Sequence, residues 1–281
     1  FGSSARRAQR SSYAGQSRPS PYSQPRLMGA VHGVYLKYVG LGLGSYGLLW
    51  FLAPLERHGH VPGATPTWLL GLLAHVSAVN LLVAALFRLK QGMSILGKDA
   101  ETGTVPLWSY LFFAGFHVPT WLYTRLHRLR DKAAGIAAAD EVAPGWWLGG
   151  RYGAEVKRSW SGIVDLTCEF PEGCVGTDPD SYLLLRCWDG VPPTPEQLAM
   201  AAKFAVERRK RGDVIVHCAH GRGRSTTVMC ACLVQAGLFA SWEEAFEAVK
   251  LKREVVKLNS AMRRTLSQWQ SSFLAEKEKV K

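Results

Sequence analysis

Apolar positions along the chain follow two different patterns. In the first half they form long uncharged runs: Tyr38–Leu55, Thr67–Phe87 and Val105–Thr124. A bilayer crossing needs roughly 20 apolar residues. The second and third runs have that length. The first is rich in glycine and interrupted by Pro54, which makes it marginal. Trp68 opens the second run, and Trp108 and Trp121 bracket the third, where a membrane interface would place them. Buried core helices of a soluble protein are the competing reading, but these runs lack an amphipathic stripe. His75, Asn80 and His117 lie inside the runs, and hydrogen bonds between helices explain them better than a polar functional pocket.

In the second half, short apolar runs alternate with helical patterns. Gly162–Phe170 reads as a buried strand running into a loop, and Tyr182–Cys187 and Val214–Val216 as further strands. Thr194–Gln197 is a capping box with Pro195 at the first helical position, starting a helix that runs towards Lys210. Ser241–Glu244 caps another helix, and Asn259 or Ser260 the last. Strands alternating with helices predict an α/β domain with a central, mostly parallel sheet flanked by helices. Two or three transmembrane helices precede it.

The domain plan is a disordered basic arm (1–33), a membrane region (34–125, spans at 38–55, 67–87 and 105–124), a linker (126–143) and the α/β domain (144–281). Composition and charge sharpen it. Residues 1–28 hold five Arg, seven Ser, three Pro and no acid, too polar to bury a core and fitting an organellar transit segment and a plain disordered cytosolic arm equally well. The formal net charge of +12 is uneven: residues 1–139 carry 14 Lys and Arg against four acids, the remainder 20 against 18. No nucleic-acid motif accompanies the basic half, so the charge reads as membrane-flanking. Three basic clusters around the runs leave orientation open under the positive-inside rule. All six cysteines (168, 174, 187, 218, 230 and 232) fall in the second half, without metal or disulfide spacing.

One stretch concentrates chemistry. VIVHCAHGRGRS, Val214–Ser225, runs from a strand into a glycine loop and then a helix N-terminus, so backbone amides and helix dipole converge on one anion site. Cys218 in that cradle is expected to ionise in the range of roughly 3.5–7.5. Arg224 follows after five residues and aims a planar cation at whatever the sulfur attacks.

HCAHGRGRS resembles the HCxxGxxRS loop of the cysteine-dependent protein tyrosine phosphatases, and the surroundings resemble their dual-specificity branch, from near Gly145 to near Phe273. GWWLGG is similar to that branch's opening strand. The resemblance implies that Cys218 is the nucleophile and that Arg224 binds the phosphoryl oxygens with the loop residues Ala219, His220, Gly221, Arg222 and Gly223. Ser225 helps the thiolate leave, His217 orients the loop, and Asp189 in WDGVPPTPEQ, 29 residues before Cys218, is the general acid. Asp165 in VDLT is structural by the same likeness. No metal or cofactor is required. Cys187 is either a redox partner of Cys218 or, better, a small buried side chain.

The expected activity is a membrane-anchored phosphomonoester hydrolase acting on Tyr, Ser and Thr phosphoproteins through a phosphocysteine. Its partners are substrate and membrane, without nucleic acid. The alternatives are the same chemistry on a phospholipid or phosphoinositide headgroup, suggested by the basic His220 and Arg222, and an inactive phosphate-binding membrane scaffold. Sulfur transfer is remote. The domain would face the cytosol or a reducing organelle interior.

Overall fold

The computed structural model describes residues 33–57 and 66–279. The expected N-terminal arm therefore lies almost wholly outside the described residues. The chain builds α1 (Tyr35–Arg57), α2 (Thr67–Leu89), α3 (Leu107–Phe112) and α4 (Ala114–Ala133) first. It then forms β1 (Ala139–Ala143), β2 (Trp146–Gly150), β3 (Ser159–Trp160), β4 (Gly162–Thr167), β5 (Val175–Gly176) and β6 (Tyr182–Cys187). Last come α5 (Pro195–Arg209), β7 (Val214–Cys218), α6 (Arg224–Gln235), α7 (Trp242–Lys252) and α8 (Ser260–Lys279).

The main sheet has the order β1-β2-β7-β4-β6. Only the β1–β2 pair is antiparallel. Every residue of β4 and β7 is buried, as expected of parallel strands covered on both faces. Helix α6, buried from Arg224 to Val234, packs on one face with Leu198, Ala201, Ala202 and Ala205 of α5 and Trp269 of α8. Trp160, Ile163 and Ile215 fill the other. The Thr194 capping box forms as its spacing demands, and the Asn259 carboxamide oxygen accepts the Met262 amide at 2.9 Å to start α8.

Helices α1 and α2 are long and apolar enough to cross a membrane, and little of either is buried. Trp50, Phe51 and Trp68 are about two-thirds exposed, the opposite of core helices in a soluble domain. The helices touch where side chains are small: a Cβ on Gly42 would stand 2.8 Å from Leu81, and the Ser77 hydroxyl donates to the Gly42 carbonyl. His75 meets the Phe112 carbonyl at 2.8 Å, Asn80 donates to the Gly115 carbonyl, and His117 meets Ser109. The polar residues of the runs thus serve helix packing.

Two boundaries differ from the sequence reading. The third run is not one helix: α3 ends at Phe112 and α4 begins at Ala114, with Phe113 buried between them. The expected linker, 126–143, is mostly structured, because α4 continues to Ala133 and residues 139–143 form the edge strand β1. Low apolar content concealed both. The α4 extension is held by Arg128, which pairs with Glu155 at 2.5 Å, and β1 by its register on β2.

The helical module also shares a core with the α/β domain. Phe87 and Phe116 pack on Trp188, just past β6, together with Tyr38 and Cys168. Lys98, in the segment after α2, is buried and pairs with the equally buried Asp165 of β4. The Trp188 indole donates to the Gln91 carbonyl at 2.7 Å, and Arg186 donates to the Lys98 carbonyl. The module therefore covers the carboxyl ends of the parallel strands, where α/β sheets place their ligand sites.

Candidate active site

Strand β7 delivers Cys218 at its last position, and the chain turns at once into the loop that begins α6. Gly221 has φ +66°, and a Cβ there would lie 2.4 Å from the Gly149 carbonyl carbon, so the loop's close approach to β2 requires glycine. Arg253 is buried and braces the loop from behind. It donates to the Gly221 carbonyl at 2.8 Å and pairs with Asp140 of β1. The Lys257 amide donates to the Arg222 carbonyl at 2.7 Å.

Burial alone would raise the Cys218 thiol. The Arg224 guanidinium, the Ser225 hydroxyl 3.3 Å from the sulfur, and the amides of Ser225 and His220 outweigh it and hold the thiol below its ordinary value. The other cysteines move the other way: burial pushes Cys187 up to about 12 and Cys168 well above its ordinary value. Cys187 is buried among apolar neighbours and reads as a packing residue.

Arg224 is almost wholly buried and tied through its two amino groups, while its Nε has no hydrogen-bond partner among the described residues. It pairs with Glu169 at 2.9 Å and donates to the carbonyls of Leu166 and Cys187. The edge bearing Nε and the Glu169-paired amino group reaches Asp189 at 3.3 Å. Burial disfavours the Asp189 anion, but Arg224 above all, with Lys37 and the Gly190 amide, overcomes it and lowers the carboxyl below the usual range. A dianionic phosphoryl taking that edge of the guanidinium would return the carboxyl towards protonation. Asn259 donates to the Gly190 carbonyl at 2.9 Å, fixing the Asp189 loop to the start of α8.

His217 lies behind the loop. Burial lowers its affinity for a proton, yet Glu172 at 2.7 Å and Asp165 raise it to about 9, so the ring is an imidazolium at neutral pH. Glu172 also accepts the amides of Gly173 and Cys174. Glu172, Cys174 and His217 bring three ligand-capable atoms within 4.8 Å of one another. The hydrogen bonds of the carboxylate account for that grouping without a cation.

Cys218, Arg224 and Asp189 thus come together around one cavity of about 130 Å³, with His220, Arg222 and Gly223 also on its walls and Ser225 behind the Cys218 sulfur. His220 and Arg222, expected as additional basic groups for substrate, are engaged by α4 instead. The His220 ring lies 4.4 Å from that of His127 and 5.7 Å from Tyr123, and burial pushes its imidazole well below the ordinary value, leaving it neutral. The Arg222 guanidinium pairs with Asp131 at 2.7 Å.

Sequence reasoning missed Glu169, Glu172, Lys98 and Arg253, and it missed that Tyr123 and His127 form a wall of the cavity. The two glutamates had a signal, acids just beyond the carboxyl end of a buried strand. The others had none, because their partners lie far away along the chain.

Among known families, the model of the dual specificity phosphatase catalytic domain matches residues 195–272. The chain is similar over about half its length to several solved structures. A mouse putative dual specificity phosphatase complexed with zinc tungstate is 22% identical over 50% of this chain and 90% of its own, at TM-score 0.43. PTPMT1 in complex with PI(5)P is 22% identical over 50% and 99%, at 0.42, and Tk-PTP in the active form is 25% identical over 48% and 97%, at 0.42. The family match spans Cys218 and Arg224 and starts just past Asp189. Residues 195–272 of this chain, with their thiolate-stabilising loop at the end of a parallel strand, thus match the catalytic domain of the cysteine-dependent dual specificity phosphatases.

Proposed function

We propose that the chain is a membrane-anchored phosphomonoester hydrolase acting through a phosphocysteine on phosphorylated lipid headgroups. The Cys218 sulfur attacks phosphorus and the P–O bond to the leaving alkoxide breaks. The loop amides and Arg224 hold the equatorial oxygens, where transition-state charge develops. Asp189 gives the leaving oxygen its proton. Water then attacks the phosphocysteine, Asp189 takes the water's proton, and phosphate and thiolate separate with Ser225 stabilising the sulfur.

The observation that carries the lipid reading is the position of α4. The helix that walls the catalytic cavity with Tyr123 and His127 also exposes Val118, Trp121, Leu122, Leu126 and Leu129. An exposed apolar surface of this kind, continued on α1 and α2, fits a bilayer rather than water. It supports a cavity mouth at headgroup level. The sequence alone favours phosphoproteins. That second reading keeps the support of the family match, because the matched family is named for dual specificity. An inactive scaffold is disfavoured by the complete set of nucleophile, arginine and acid around one cavity.

The deciding experiment is phosphate release by the full chain, reconstituted in vesicles, from phosphatidylinositol 5-phosphate and from a phosphotyrosine and phosphothreonine peptide panel. Faster release from the lipid is expected. Faster release from peptides would replace the lipid reading with the phosphoprotein one.

A further inference from the structure

We infer that Lys37 sets substrate specificity by binding a second anionic group carried beside the scissile phosphate. The inference rests on the phosphatase reading and adds a residue from a helix outside the α/β domain. Lys37 lies in the first turn of α1. It shares a small cleft with Asp189, Tyr123, Ala219 and His220, and Tyr123, Asp189 and His220 also line the catalytic cavity. The lysine thus stands one side chain away from the acid and the cysteine loop.

Its ammonium is held 4.9 Å from the ring centroids of both Tyr38 and Tyr123. It makes no ion pair among the described residues, so its charge is steadied by two π faces and is open to an anion. A lysine near the end of a membrane helix normally extends to the headgroup region. This one is folded against the tyrosine that walls the catalytic cavity.

Three other basic groups at the loop are engaged or uncharged, and Lys257 lines the catalytic cavity beside them. Arg222 is matched by Asp131, Arg224 is held by Glu169 and faces the reacting phosphoryl, and His220 is neutral. A substrate with one phosphate can be satisfied by the loop and Arg224 alone. A substrate with another phosphate a few atoms away would find its counter-charge in Lys37. The lipid form of that chemistry is a headgroup bearing both a phosphomonoester and the phosphodiester of its glycerol linkage. A free bisphosphate is the soluble form.

The test measures binding to full-length Cys218→Ser protein by calorimetry. The soluble probes are propane-1,3-diol phosphate and propane-1,3-diol bisphosphate; the vesicle probes carry phosphatidic acid or phosphatidylinositol 5-phosphate. The bisphosphate should bind about tenfold more tightly than the monophosphate, the scale of one charge-assisted contact. Adding Lys37→Met should bring that ratio close to one, and Lys37→Arg should keep it. Retention of the ratio in Lys37→Met overturns the inference. So does a Lys37 effect seen only on vesicles and equal for the two lipids, which would make the residue a general membrane-surface cation. Hydrolysis of p-nitrophenyl phosphate by the protein with Cys218 intact scores the phosphatase reading separately. If that activity is absent while the Lys37-dependent ratio persists, the phosphatase reading falls and the anion site stands.

Discussion

At the scale of single residues, the site separates into groups that touch phosphate and groups that hold them. Asp189 is in the first class. Its replacement by alanine removes the proton donor, a contribution of roughly 10²–10⁴ in general acid catalysis. Asp189→Ala should therefore slow phosphate esters of poor leaving groups far more than those of good ones, read from kcat across a series of aryl phosphates. Equal loss across the series would remove Asp189 from the acid role. His217 and Glu172 belong to the second class. Because the folded imidazolium is raised to about 9, their pairing contributes stability that is fully present below the ordinary histidine value of about 6.5. That contribution is lost as pH rises through about 9. Melting temperature should fall over that interval in the native chain, and the fall should be much smaller in Glu172→Gln. A parallel fall in both would show that another group titrates there. The nucleophile, the arginine and Ser225 were legible in the sequence because their chemistry is compressed into one loop. Glu169 and Glu172 left only the trace of acids past a buried strand and Lys98 none, because their partners lie 55, 45 and 67 residues away.

At the scale of elements, Lys98 and Asp165 link the segment after α2 to strand β4. Both side chains are fully buried. Breaking such a pair by removing one member typically costs about 3–5 kcal/mol, because the other charge stays buried without a partner. Lys98→Met should destabilise the protein by that order in denaturant unfolding, and Lys98→Met with Asp165→Asn should recover part of it. A loss below about 1 kcal/mol would mean the pair is solvated, as at a surface. The main strands and helices of the α/β domain were readable from apolar runs and capping residues. The break at Phe113, the extension of α4 and the edge strand β1 were not. Long-range partners set all three: α2 for the first, Glu155 and Arg222 for the second, and β2 for the third.

At the scale of the whole molecule, the shared core makes the helical module part of the catalytic unit. Residues 139–281 alone would expose Trp188 and Cys168, leave Asp165 without Lys98 and release His220 and Arg222 from α4. That fragment should melt well below the chain spanning 33–281, and its activity per molecule should drop more than tenfold. A fragment with full stability and activity would reduce the module to a membrane address. The sequence showed the module's apolar character but not its docking, because docking uses Phe87, Phe116 and Tyr38, residues that a membrane reading assigns to lipid.

The central claim is that Cys218 carries the phosphoryl group between two half-reactions. The most direct measurement is rapid acid quench of the full-length Ser225→Ala protein during turnover of p-nitrophenyl phosphate, followed by mass spectrometry of its peptides. Slower departure of the thiolate should leave a phosphate adduct on the peptide containing Cys218, and Cys218→Ser should show neither adduct nor turnover. Phosphate release by Cys218→Ser at a rate near that of the native chain would contradict the account.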